Sequence, residues 1–233
     1  MPKPEEAALT NARLNQMRAA VLGANDGIVS VASIILGVAG ATDSRGTIFT
    51  AGLAGLVAGA FSMAIGEYVS VASQRDTEEA YIAAEKRKLA EDPEGEFEEL
   101  AKLYEAKGIS AKTAKQVAKE LTEHDVIKAH LDAELNIDEE DLNSPTQAAL
   151  ASMSAFTAGG LVPLITVLLF HGHIVRIVAT FVAVLIALTA TGYFSATAGG
   201  ASRRRAIARV FFGGAVAMAA TYAVGHLFGS AIH

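Results

Sequence analysis

Two carboxylates, Asp26 and Glu67, stand inside stretches that are otherwise apolar or small, Val21–Ala41 and Ile48–Ser73. An ionisable side chain deep in hydrocarbon costs about 2.5–3.5 kcal/mol even on the lenient insertion scale, so such groups are rare and tend to mark ion pathways. Met63 precedes Glu67 by four residues and therefore shares its helix face one turn away. Asn25, Ser30, Ser62 and Ser70 offer further oxygens close by. Carboxylates with a thioether suit a borderline divalent metal and disfavour Mg²⁺ and Ca²⁺. Two adjacent carboxylates in a low dielectric cannot both stay ionised without a cation, so such a pair takes a metal or a proton by turns. The competing explanation is a pair of buried polar residues that join helices by hydrogen bonds.

Positioning these groups requires helices that cross roughly 30 Å of hydrocarbon. The chain of 233 residues is 52% hydrophobic and has five apolar runs of that length, at about 21–41, 48–73, 148–171, 174–198 and 206–231. Asp26 sits roughly 8–10 Å from the start of the first run at 1.5 Å per residue, and Glu67 lies at a similar depth from the end of the second. Antiparallel neighbours would bring the two to one level. Gly52, Gly55, Gly59 and Gly66 recur along the second run, a spacing that lets membrane helices approach closely.

Between the second and third runs the composition changes. Arg75–Asp141 holds twenty of the 25 acidic residues and ten of the 19 basic ones, so the formal net charge of −6 combines an acidic insert with a basic membrane part. That acidity argues against nucleic acid as a partner. There is no cysteine, which leaves oxygen, imidazole or thioether to hold any metal. The first twenty residues are polar, and no cleavable signal peptide is expected. Lys and Arg concentrate before the first run (Arg13, Arg18), after the second (Arg75, Lys86, Arg87, Lys88) and between the fourth and fifth (Arg203, Arg204, Arg205, Arg209). The positive-inside rule then places the N-terminus and the insert in the cytosol and the C-terminus outside.

The insert predicts three or four helices with narrow apolar stripes: Phe97, Leu100 and Tyr104; Ala114, Val117 and Leu121; Ile127, Leu131 and Leu135. Asp92-Pro93 should end an inward continuation of the second span, and Gly108 with Ser110 should separate two helices. Glu96 and Glu99 are spaced i, i+3 and His130 and Glu134 i, i+4, so each pair faces one way, while Glu85 sits on the helix that leaves the membrane. Clustered glutamates with one histidine suit Fe²⁺, Mn²⁺ or Zn²⁺. A solvated acidic bundle accounts for the same spacing. Asp138–Asp141 has the character of a solvated cap and linker. His171, His173, His226 and His233 have no carboxylate near them in sequence and are expected to be incidental.

Ala24–Val38 (ANDGIVSVASIILGV) and Ser62–Asp76 (SMAIGEYVSVASQRD) resemble the signature segments of the vacuolar iron transporter family, and the layout is similar across the whole chain. The resemblance implies a homodimeric transporter that moves Fe²⁺, and often Mn²⁺, out of the cytosol in exchange for protons. It implies that Asp26, Met63 and Glu67 line the translocation path. It further implies that Glu85, Glu96, Glu99 and Glu134 collect metal in the insert. Two positions depart from the family pattern: Lys88 replaces a glutamate expected one turn after Glu85, and His130 replaces a methionine. The ferritin-like N-terminal domain of longer family members is not expected here.

The expectation is an all-α integral membrane protein with five transmembrane helices. It comprises an N-terminal segment (1–20), helices one and two (21–73), a cytosolic acidic metal-binding domain (74–146) and helices three to five (147–233). It would be no enzyme and would hold no permanent cofactor; Fe²⁺ or Mn²⁺ would be the cargo, with Zn²⁺ and Co²⁺ as further ions. Its partners would be metal ions, protons, the lipid bilayer and a second copy, and a bacterial inner membrane fits best. The alternative is a membrane-anchored metal buffer or sensor without transport. A di-iron redox enzyme needs paired Glu-x-x-His elements, which the insert lacks.

Overall fold

The computed structural model describes the backbone of residues 4–137 and 143–232, and the side chains of 17–137 and 143–229. Asp138–Asp141 and His233 lie outside the described residues. The chain is all helical there: α1 (Pro4–Ala41), α2 (Arg45–Glu91), α3 (Pro93–Ala106), α4 (Ala111–His130), a π-helical turn (Leu131–Leu135), α5 (Pro145–Leu169), α6 (His173–Ala198) and α7 (Arg203–Ile232). Five of these helices contain stretches long and apolar enough to cross a membrane: Met17–Ala41, Arg45–Glu91, Pro145–Leu169, His173–Ala198 and Arg203–Gly229. Two compact units form, one from Met1–Val69 with Pro145–His233, the other from Ser70–Ser144.

In the membrane unit α1 is central. One of its faces packs Val31, Ile35 and Ala39 with Ile48, Leu56 and Ala60 of α2 and with Phe156, Leu164 and Val167 of α5. The other packs Ile28, Ala32 and Leu36 with Val184 and Leu188 of α6 and Met218 of α7. The tightest approaches rest on absent side chains: a Cβ on Gly27 would collide with the Phe156 carbonyl, and one on Gly225 with the Gly37 carbonyl. The expected glycine row on α2 behaves differently. Gly52, Gly55 and Gly59 receive side chains (Ile35, Ile34 and Phe156), whereas Gly66 faces open space. Around Gly66, Phe61, Ile65, Tyr68 and Val69 are exposed. The Arg45 guanidinium donates to the carbonyls of Val167, at 3.0 Å, and Leu168, so it satisfies orphan acceptors at the end of α5.

The insert unit has its own small core. Leu100, Ala101, Ala118 and Ala129 are buried, with Phe97, Tyr104, Leu121 and Ala133 packed against them. Ala118 rather than Val117 is the fully buried residue of its turn. The punctuation follows the sequence. Asp92 accepts the Gly95 amide at 2.9 Å at the start of α3. Gly108 takes φ +95 between α3 and α4, and Ser110 caps α4. One feature carries no obvious apolar signal: α4 is interrupted at Asp125 (φ −160, ψ 98), whose carboxylate accepts the Lys128 amide at 3.0 Å and restarts the helix.

Candidate functional site

Three helices and the π-helical turn bring one donor each to a common point in the insert. Glu85 comes from α2, Glu96 from the first turn of α3, His130 from the end of α4 and Glu134 from the π-helical turn. The Asp92 cap fixes where α3 begins and so points Glu96 inward. The Asp125 break sets the direction of the segment that carries both His130 and Glu134, and the wider π turn sets Glu134 relative to His130; single π turns recur at functional sites.

One ligand atom from each of Glu85, Glu96, His130 and Glu134 lies within 4.8 Å of the others. His130 Nδ1 is 3.0 Å from Glu85 Oε1, 3.0 Å from Glu134 Oε1 and 3.8 Å from Glu96 Oε2. Donors bound to one ion at roughly 2.1 Å stand about 3 Å apart at adjacent corners of its coordination shell, so this spacing needs little adjustment to hold a metal. His130 is fully buried, Glu85 and Glu96 nearly so. Glu85 Oε1, Glu96 Oε2 and His130 Nε2 are buried without a hydrogen-bond partner. Buried polar atoms seldom stay unsatisfied, and a cation among the carboxylate oxygens would satisfy Glu85 Oε1 and Glu96 Oε2, while His130 presents Nδ1 rather than Nε2 to that point.

Lys88 already supplies part of that positive charge. Its ammonium lies 3.0 Å from Glu85 Oε2 and 3.9 Å from Glu134 Oε2. The hydrogen bond to Glu85, with the Glu85, Glu134 and Glu96 charges, holds the Lys88 ammonium above its ordinary range against partial desolvation. Burial pushes the Glu96 carboxyl up, reinforced by the Glu85 and Glu99 charges and opposed by Lys88 and His130. Glu99 is exposed and outside the group. It therefore acts on Glu96 from the rim, although the i, i+3 spacing alone would pair the two.

In the membrane unit Asp26 and Glu67 are both half-buried, as is Met63, which packs against the α1–α2–α5 core. Asp26 Oδ1 accepts a 2.6 Å hydrogen bond from Ser30 Oγ, one turn along α1. Among the described residues no hydrogen bond or ion pair joins Asp26 to Glu67. Of the histidines judged incidental, His173 does have a carboxylate: its Nδ1 is 3.0 Å from Asp43 Oδ1. The partner comes from the turn between α1 and α2, 130 residues away, where sequence proximity gives no signal. His226 stacks on Tyr222.

The chain is similar to known proteins along most of its length. Residues 17–226 match the VIT family. A vacuolar iron transporter of Acanthamoeba castellanii is 43% identical over 211 residues, which covers 91% of this chain and 78% of the relative. Vacuolar iron transporter homolog 1 of Oryza sativa subsp. japonica is 39% identical over 218 residues, covering 94% and 76% respectively. Vacuolar iron transporter homolog 3 of Arabidopsis thaliana is 38% identical over 234 residues, covering all of this chain and 94% of the relative. With five helices of membrane-spanning length and matches along nearly its whole length, this chain is an integral membrane protein of the VIT family of transporters.

Proposed function

We propose that this protein exports Fe²⁺, and Mn²⁺ alongside it, from the cytosol in exchange for protons. The observation that carries the proposal is the group of Glu85, Glu96, His130 and Glu134, whose oxygen and imidazole donors suit both ions and disfavour soft ones. The relatives' names supply iron as the cargo. In this reading the insert collects ions from the cytosol. Asp26, Met63 and Glu67 then replace part of the ion's hydration within the membrane, and the carboxylates return protons when the metal has left. The exposed α2 face around Gly66 fits a homodimer, in which a second copy would cover apolar surface and bring a second set of Met63 and Glu67 near the first.

One observation favours a membrane-anchored buffer instead: the insert group is closed within one chain, whereas among the described residues Asp26 is hydrogen-bonded only to its own helix neighbour. Proteoliposomes containing a pH-sensitive dye separate the two. The exporter moves protons when Fe²⁺ or Mn²⁺ is added, and Asp26→Ala abolishes the flux while insert binding persists. Metal binding with no proton movement, after correct insertion is verified, would leave only the buffer.

A further inference from the structure

The membrane unit has a cavity of about 450 Å³ bounded by α1, α6 and α7, at the end of these helices where α6 leads into α7. The other cavities described in this unit are lined without charged residues. This one differs. Arg18 of α1 and Arg209 of α7 border it and are exposed, and among the described residues neither has an acidic partner. Arg203, by contrast, is engaged elsewhere, 5.1 Å over the Tyr193 ring.

The interior is mostly apolar, with Leu22 and Val210 among its walls, but Asn25 also lines it. Asn25 Oδ1 is buried and has no hydrogen-bond partner. Asn25 follows Arg18 by seven positions, so its Cα lies roughly 10 Å further along α1, and the long arginine side chain spans part of that interval. The cavity thus presents two cations at the rim, one unsatisfied acceptor deeper in and apolar walls between. A buried acceptor of this kind calls for a donor. Basic pockets between membrane helices attract anionic lipid headgroups.

We propose that this cavity binds an anionic phospholipid whose headgroup carries a hydroxyl. The phosphodiester would pair with Arg18 and Arg209, a headgroup hydroxyl would donate to Asn25 Oδ1, and the first acyl methylenes would lie against Leu22 and Val210. The proposal does not depend on which ion is transported or in which direction.

Native mass spectrometry of the full-length protein in detergent, titrated with defined lipids, tests it. Phosphatidylglycerol should bind about tenfold or more tighter than phosphatidylcholine, a difference of about 1.4 kcal/mol. Arg18→Gln with Arg209→Gln should bring the two lipids level, whereas Arg203→Gln with Arg204→Gln should leave the preference intact. Asn25→Val should lower phosphatidylglycerol to the level of phosphatidylmethanol, a phosphodiester of the same charge that has no headgroup hydroxyl. Leu22→Trp, at an exposed position, narrows the cavity with both arginines kept and should weaken the preference. The proposal is overturned if phosphatidylglycerol binds no tighter than phosphatidylcholine, if the preference survives the Arg18/Arg209 pair, or if it is undiminished in both Leu22→Trp and Asn25→Val. Equal loss in the Arg203/Arg204 pair would show general surface charge, and equal affinity for soluble glycerol phosphate would show a site for free anions; either result overturns it.

Discussion

Replacing Lys88 by methionine removes an ammonium that stands among the carboxylates of the insert. In the metal-free protein that ammonium neutralises part of the cluster, so an incoming divalent ion has to displace it. At 3.0 Å from Glu85 Oε2 the bare Coulomb attraction is about 5 kcal/mol with an effective dielectric constant of roughly 20. Most of this is not at stake. Lys88 is 48% exposed, and it can swing into water when the metal enters. Exposed ion pairs are worth about 0.2–1 kcal/mol. Because Glu85 is only 3% exposed, the cost of displacement should fall at or slightly above the top of that range. Lys88→Met should therefore tighten Mn²⁺ binding by about 1–1.4 kcal/mol, or about five- to tenfold in Kd. The assay is Mn²⁺ titration of the full-length protein in detergent at pH 7.5, followed by the loss of the free-ion electron paramagnetic resonance signal. Glu85→Gln serves as the control that localises binding to the cluster. Unchanged or weaker binding by Lys88→Met, with the control weakened as expected, would refute the idea that the lysine competes with metal.

Because Glu96 holds its proton above the ordinary carboxylate range, the native insert keeps that proton through a window in which the unfolded chain has already lost it. Stability of the metal-free insert should therefore fall as pH rises through this window, while metal affinity, which needs the carboxylate, should rise; thermal unfolding and Mn²⁺ titration across that range check both signs. Glu96→Gln should cost about tenfold or more in Mn²⁺ affinity, whereas Glu99→Gln should change it less than about threefold, since only Glu96 supplies an atom to the group. Gly225→Val should destabilise the membrane unit by about 1–3 kcal/mol or more through collision with the Gly37 backbone. Gly213→Ala, which meets nothing within 4 Å, should leave thermal unfolding in detergent unchanged or slightly raised.

The five spans, the acidic insert and most of its helix boundaries were legible in the residue order because each rests on a local cause. Length and apolarity set the spans, and Asp92-Pro93, Gly108 and Ser110 set the breaks, through backbone and capping preferences that act over a few residues. Spacing and family resemblance name Glu85, Glu96, His130 and Glu134 as donors, but both also put Glu99 on a level with Glu96. Which of the two turns inward depends on how α3 lies against α4, and that is a matter of packing. The helix break at Asp125, the π turn before Glu134, the His173–Asp43 pair and the backbone contacts of Gly27 and Gly225 likewise came only with the folded chain. For the His173–Asp43 pair and the two glycines the deciding partner is remote in sequence, whereas the Asp125 cap and the π turn are local but sit in a run whose composition otherwise favours an unbroken helix. Local chemistry thus determined what this protein is built from and which groups could hold a cation; three-dimensional packing decided which of them meet.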